Sequence, residues 1–167
     1  RRIKQPESRL MAVVKANGYG HGAIEVAQCA LQNGAAALGV ARIEEGIRIR
    51  EAGIRTPVLI FGYTLPQQAA DLLEYDLEPC VYTAASARKL SDTAASLGKK
   101  IQAHLKVDTG MGRLGQLPQN FQSDNSTAIN ADALEETLTI SGLDGLELEG
   151  ICTHFATADS SDKSYAE

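Results

Sequence analysis

Leu10-Met11-Ala12-Val13-Val14-Lys15-Ala16-Asn17-Gly18-Tyr19-Gly20-His21-Gly22 joins an apolar run to a lysine and then to a glycine-rich turn. The run reads as a buried strand, which puts Lys15 at a strand's carboxyl end. An ammonium placed there loses hydration, and that costs free energy. Desolvation also lowers a lysine pKa, so its neutral amine becomes a usable nucleophile toward an aldehyde. Pyridoxal phosphate (PLP) is the commonest aldehyde cofactor held this way. The glycines that follow let the backbone bend close to a ligand. On spacing alone, a solvated lysine leading into the loop before a helix accounts for the same residues equally well.

The residues themselves narrow the choice. Val14–Gly22 resembles the PLP-lysine signature of the alanine racemases, Val-Lys-Ala-Asn-Ala-Tyr-Gly-His-Gly, with Gly18 where that family has alanine. Two further stretches resemble the same family in the same order. They are His104-Leu105-Lys106-Val107-Asp108-Thr109-Gly110-Met111-Gly112-Arg113-Leu114-Gly115 and Gly150-Ile151-Cys152-Thr153-His154-Phe155-Ala156-Thr157-Ala158-Asp159.

Composition excludes several other classes. The chain has 167 residues, 44% of them hydrophobic and 5% aromatic with no tryptophan, which suits one aliphatic, alanine-rich domain. A net charge of −5 argues against an electrostatic nucleic-acid partner. No apolar run reaches membrane-span length, and Arg1-Arg2-Ile3-Lys4 has no apolar stretch behind it, so no membrane association or export signal is expected. Cys29, Cys80 and Cys152 form no Cys-x-x-Cys pair, which predicts reduced, mostly buried thiols in a cytoplasmic protein. His21, His104 and His154 lack ligand spacing, so no metal site is expected.

Strand and helix patterns alternate along the chain. Apolar runs predict parallel strands over Leu10–Val14, Ala37–Val40, Val58–Phe61, Glu78–Val81, Ile101–Val107 and Leu146–Thr153. Helical periodicity fills Ala23–Gln32, Ile43–Ala52, Pro66–Glu74, Ala84–Leu97 and roughly Ala131–Ile140, with glycine stops after several of them. This rhythm implies right-handed crossovers and a parallel sheet, either an open doubly wound sheet or a (β/α) barrel. Periodicity does not choose between them. The resemblance implies the barrel: an α/β fold of the PLP-binding (β/α)8 TIM type, followed in the family by a mostly β carboxyl-terminal domain. A closed barrel needs eight strands and about 250 residues. We therefore expect 1–167 to be a partial amino-terminal barrel of about six strands, with the carboxyl-terminal β domain absent. Arg1–Lys4 reads as the end of a helix, Ser160–Glu167 as the start of another, and the Asn/Gln/Ser-rich Gln116–Asn130 as a mobile insertion at the barrel rim.

The resemblance also implies roles for particular residues. Lys15 would hold PLP as a Schiff base and move the substrate α-proton on one face. Tyr19 would bond the cofactor phosphate. Arg113 would face the phenolic oxygen of PLP and the substrate carboxylate, and His154 would contact the cofactor from a second layer. Lys106 corresponds to a lysine that many family members carbamylate, which converts a cation into an anion that holds the arginine. Asn17, Gly18, Gly20 and Gly22 are expected to shape the turn, Asp108 to shape its loop, and Glu44 and Glu45 to sit in a helix first turn, where the macrodipole favours anions.

The implied function is PLP-dependent interconversion of L- and D-alanine for peptidoglycan synthesis in a cytoplasmic homodimer, with a small amino-acid substrate. The second catalytic base and much of the phosphate cup would lie outside this chain, so the piece alone should not racemise at a useful rate. A serine or broad-specificity amino-acid racemase, or a non-catalytic PLP-binding barrel, are the alternatives.

Overall fold

A computed structural model describes residues 8–118 and 130–161. The helix end expected at Arg1–Lys4, most of the Gln116–Asn130 insertion and nearly all of the helix start expected within Ser160–Glu167 lie outside the described residues.

Six strands alternate with helices in the expected order. They are β1 (Leu10–Val13), β2 (Ala35–Val40), β3 (Val58–Ile60), β4 (Glu78–Val81), β5 (Ile101–Lys106) and β6 (Leu146–Cys152). The helices are α2 (Ala23–Gln32), α3 (Ile43–Glu51), α4 (Ala69–Glu74), α5 (Ala84–Ser96) and α6 (Ala131–Ser141). One-turn α1 (Lys15–Tyr19), left-handed over most of its length, and a 3-10 turn at Pro66–Gln68 complete the set. Caps account for several boundaries: Thr83 Oγ1 accepts from the Ser86 amide ahead of α5, and Asn130 Oδ1 accepts from the Asp132 and Ala133 amides ahead of α6.

The sheet order decides between the two architectures. All pairings are parallel, and each strand pairs with the next in sequence, β1-β2-β3-β4-β5-β6. A doubly wound sheet would reverse direction at a switch point. None occurs here, so the sheet is a singly wound arc, a partial (β/α) barrel.

The core lies between this arc and the helices. Along β5, Ile101, Ala103 and Leu105 are buried in the hydrophobic cluster, while the alternate residues Gln102, His104 and Lys106 face the concave side. Leu38, Val40, Val58 and Ile60 on the central strands are fully buried with Ile49, Leu72 and Leu90 from the helices. Each such side chain contributes about 1.5–3 kcal/mol relative to exposure. β1 and β6 bound the arc among the described residues, and there Leu10 and Ile151 are 52% and 73% exposed.

A register shift between Ala103 and His104 sets the inside of the arc. Ala103 pairs with Leu148 but His104 pairs with Gly150, so Glu149 is an extra residue in β6. This bulge reverses the facing of the strand beyond it. Leu146 and Leu148 point into the helix-facing core, whereas Gly150 and Cys152 accompany His104 and Lys106 on the concave face.

At the amino-terminal end of the arc, His104 Nε2 lies 3.1 Å from Glu78 Oε2. The hydrogen bond that His104 donates to Glu78 raises the His104 pKa above its ordinary value, and burial opposes this only in part. A raised folded-state pKa means that the pair's stabilisation is complete below the unfolded value of about 6.5, and is lost as pH rises through the folded value. The urea midpoint lost on Glu78→Gln should therefore be larger at about pH 5.5 than at about pH 8.5. An equal loss at both would refute the assignment.

Candidate functional site

The carboxyl ends of the strands surround a cavity of about 400 Å³. Lys15, Tyr19, Lys106, Arg113 and His154 all line it, so the fold gathers at one place the five residues singled out from sequence. Val13, Ala41, Phe61, Gly62 and Cys152 supply much of the remaining wall.

Lys15 leaves β1 directly after Val14, which is fully buried. Lys15 is half-buried and opens on the cavity. The chain then turns left-handed, with φ of 52° at Ala16, 54° at Asn17, 62° at Gly18 and 55° at Tyr19. Non-glycine residues in this region cost about 1–3 kcal/mol each and persist only where the surroundings over-determine them.

Here the surroundings do so. The Gly18 amide donates to Val14 O at 2.9 Å and the Gly22 amide to Asn17 O at 2.9 Å. Asn17 Oδ1 accepts from the Ala23 amide at 3.1 Å, and Glu45 Oε1 accepts from the Ala16 amide at 2.7 Å. Gly18 is buried against α2, and a Cβ there would meet Val26 Cγ2 at 3.2 Å, a fit that needs only a small adjustment. The turn brings Tyr19 back over Lys15, with the lysine Nζ 6.0 Å from the ring centroid. Tyr19 is 61% exposed, so its ring is not packed into the core against α2.

Glu45 does more than its position in a first turn suggests. Its Oε2 accepts from the Ala41 amide at 2.7 Å and the Arg42 amide at 3.1 Å, while Oε1 holds Ala16. One carboxylate thereby ties the β2–α3 loop to the residue after Lys15. The first-turn position read from the sequence does not by itself show this capping. The bond that reaches 29 positions back exists only in the fold.

Arg113 is positioned by its loop. Asp108, 5% exposed, accepts at Oδ1 from the Gly110 and Gly112 amides and at Oδ2 from the Arg113 amide at 2.7 Å. Burial pushes the Asp108 pKa up, but donation from the backbone N–H groups of Arg113, Gly110, Gly112 and Met111 outweighs it and holds the carboxyl below its ordinary range. Gly115 closes the loop at φ +133°, where a Cβ would lie 2.5 Å from the Asp108 nitrogen. The Arg113 side chain is exposed and faces the cavity, and His154, beyond β6, is likewise exposed at its mouth.

Lys106 is the buried charge of the site, 7% exposed, with Nζ 5.8 Å from the centroid of the Phe61 ring. Phe61 can lie there because Gly39 lacks a side chain: a Cβ on Gly39 would come within 2.4 Å of the ring. Among the described residues no carboxylate forms an ion pair with Lys106, and no Asp or Glu lines the cavity. The site therefore presents cations to an anionic ligand.

Cys152 was missed by sequence reasoning, which saw three unrelated, mostly buried thiols. Cys29 is exposed, whereas Cys80 and Cys152 lie with their sulfurs 3.4 Å apart.

Comparison with known proteins places this arrangement. The family model for the alanine racemase amino-terminal domain matches residues 1–167. The chain belongs to the alanine racemase family. It is 46% identical over 165 residues to the alanine racemase of Desulforamulus reducens, covering 99% of this chain and 42% of that protein. Among solved structures, alanine racemase of Clostridium difficile 630 superposes with a TM-score of 0.88 at 36% identity, covering 99% of this chain and 40% of that one. Histidine racemase from Leuconostoc mesenteroides superposes with a TM-score of 0.83 at 29% identity, over 95% of this chain and 40% of that one. The chain thus spans about two fifths of the length of these relatives, and its six-strand arc corresponds to part of the racemase-family barrel.

Proposed function

We propose that this chain is the cofactor-holding part of a PLP-dependent amino-acid racemase, a partial amino-terminal barrel whose second domain lies outside 1–167, and that the whole protein interconverts L- and D-alanine. The observation that carries this reading is the convergence of Lys15, Tyr19, Lys106, Arg113 and His154 on one cavity without a carboxylate in its wall. PLP suits such a wall, because its phosphate and phenolic oxygens are anionic and its aldehyde needs an amine. When bound, PLP supplies an electron-poor ring that stabilises the carbanion left by loss of the α-proton.

The chain's own residues do the rest. The Lys15 amine holds the cofactor and then removes or returns the proton at Nζ on one face. Its turn, fixed by Glu45 and Asn17, sets the direction from which that amine approaches. Tyr19 donates its hydroxyl to the phosphate. Arg113 offers a planar fork of donors to the phenolic oxygen and to the substrate carboxylate. His154 supports the cofactor from the mouth. Carbamylation of Lys106 would turn an uncompensated buried cation into an anion facing Arg113, which removes the cost of burying that charge. The proton on the opposite face comes from a group outside this chain, in a homodimer of the whole protein, and the product D-alanine serves peptidoglycan synthesis in the cytoplasm.

The likeness to histidine racemase favours a second reading in which the side chain accepted is larger. The test is turnover by the whole protein with PLP, assayed in parallel on L-alanine, L-serine and L-histidine. Formation of D-alanine in clear excess supports the first reading. Preference for another side chain selects the second, and no racemisation of any of them overturns both.

A further inference from the structure

The loop that carries Arg113 is closed on itself. Asp108 gathers the Gly110, Gly112 and Arg113 amides at one end. At the neck the Gln116 amide donates to Lys106 O at 2.9 Å, and the Asp108 amide donates to Gln116 O at 2.8 Å. The buried Gln116 side chain accepts from the Thr137 hydroxyl on α6. A compact loop whose ends meet in this way moves as a unit, so a contact on its flank sets how it stands over the cavity.

On the β6 side that contact is a pair of hydroxyls. The Val107 amide donates to Cys152 O at 2.9 Å at the end of the β5–β6 ladder, and beyond it Thr109 Oγ1 lies 2.8 Å from Thr153 Oγ1. Either hydroxyl can donate to the other. Thr153 lines the cavity directly before His154, whereas Thr109 is outside its wall. The pair, 44 positions apart in sequence, joins the strand end that leads to His154 to the loop that presents Arg113.

We propose that Thr109 is a positioning residue for Arg113: its hydroxyl, clasped to Thr153, fixes the tilt of the loop so that the arginine fork and His154 address one ligand. This role rests on the reading of the cavity as a PLP site. The clasp acts on the loop's backbone, so it holds whether Lys106 is carbamylated or not. Because Thr109 does not reach the cavity, a change there alters ligand binding through the loop and not by direct contact.

Thr109→Val removes the hydroxyl and keeps the shape of the side chain, while Thr109→Ser keeps the hydroxyl. The first measurement is amide hydrogen exchange in the whole protein without PLP. Exchange at Gly112 and Arg113 should be about three- to tenfold faster in Thr109→Val, the worth of one hydrogen bond, and near the parent rate in Thr109→Ser. The second is PLP titration followed by absorbance. Thr109→Val should weaken binding by a similar factor. Thr109→Val/Thr153→Val should bind no more weakly than Thr153→Val alone, because one lost hydroxyl already opens the clasp. With PLP bound, the KM for the preferred L-amino acid should rise about three- to tenfold while kcat stays within about twofold. In an Arg113→Lys background Thr109→Val should leave PLP affinity unmoved.

Unchanged exchange in Thr109→Val means that the clasp does not hold the loop, and overturns the proposal. Faster exchange with PLP affinity and KM unmoved overturns the positioning role. An effect that survives Arg113→Lys, or that adds in the double variant, does the same. A parent protein that takes up no PLP refutes the cofactor reading, and the positioning role falls with it; the exchange rates tell that failure apart from failure of the clasp.

Discussion

Lys15→Ala is expected to abolish covalent capture of PLP, while Lys106→Ala retains it. Both lysines line the cavity, so proximity alone does not separate them. Their surroundings do. Lys15 is half-buried, rides on a turn held by Glu45 and Asn17, and opens toward the mouth. Lys106 lies 7% exposed in the floor against Phe61, beside Cys152, where its charge acts on its neighbours. Borohydride reduction followed by peptide mapping should place a pyridoxyl group on Lys15 in the parent protein and in Lys106→Ala, and on neither lysine in Lys15→Ala. On the roles proposed above, loss of the Lys15 amine should lower racemisation by the whole protein on the order of 10⁴-fold or more. Equal loss of labelling in both variants would remove the basis for choosing Lys15.

The second large effect lies at the other end of the barrel and concerns stability. Arg50, in the last turn of α3, is 5% exposed and spends its guanidinium on four backbone carbonyls. Nε donates to Tyr75 O at 2.8 Å, Nη1 to Ile54 O at 3.1 Å and Thr56 O at 2.8 Å, and Nη2 to Asp76 O at 2.6 Å. One side chain therefore fastens the α3–β3 connection to the α4–β4 connection. Burial lowers the Arg50 pKa, with Asp76 opposing, but a guanidinium starts so high that it stays charged at neutral pH.

Arg50→Met keeps the apolar stem and strands all four carbonyls. We expect a loss of about 3 kcal/mol or more, since each buried carbonyl left without a donor costs about 1–3 kcal/mol. Arg50→Lys should recover only part of it, because a single ammonium cannot span acceptors that the planar fork reaches together. The 4.0 Å approach to Asp76 Oδ2 adds little, since that carboxylate is 84% exposed. Urea denaturation of the whole protein measures the difference. A change below about 1 kcal/mol in Arg50→Met would mean that water replaces the guanidinium without cost.

Much of the fold was legible in the chain. The six strands and the helices Ala23–Gln32, Ile43–Glu51 and Ala84–Ser96 fall within one or two residues of the ends expected from apolar runs and glycine stops. Local signals suffice there because each boundary is made by a nearby residue, as at Thr83 and Asn130. Pro66–Glu74 is shorter as an α-helix than its periodicity suggests, since the proline opens a 3-10 turn and α4 begins at Ala69. The Gln116–Asn130 insertion is anchored at both described ends. Gln116 is buried and accepts from the Thr137 hydroxyl, and the Asn130 amide donates to Pro118 O at 3.0 Å. A polar composition gave no hint of that, because burial of an amide side chain depends on a partner far along the chain.

The motifs by themselves named the five cavity-lining residues and their family, since chemical identity and order are properties of sequence. Barrel over doubly wound sheet is decided by strand order in space, where each strand meets the next with no reversal. The left-handed turn behind Lys15 also needs its surroundings, because Glu45, brought from the first turn of α3, accepts from the Ala16 amide and helps hold Ala16 at positive φ. The last decision belongs to one extra residue. By simple alternation Cys152 would follow Leu146 and Leu148 into the helix-facing core. Glu149, unpaired in the ladder, turns it inward against Lys106 and Cys80. A strand's facing is a two-state property set by register, and register is fixed only when the neighbouring strand is in place.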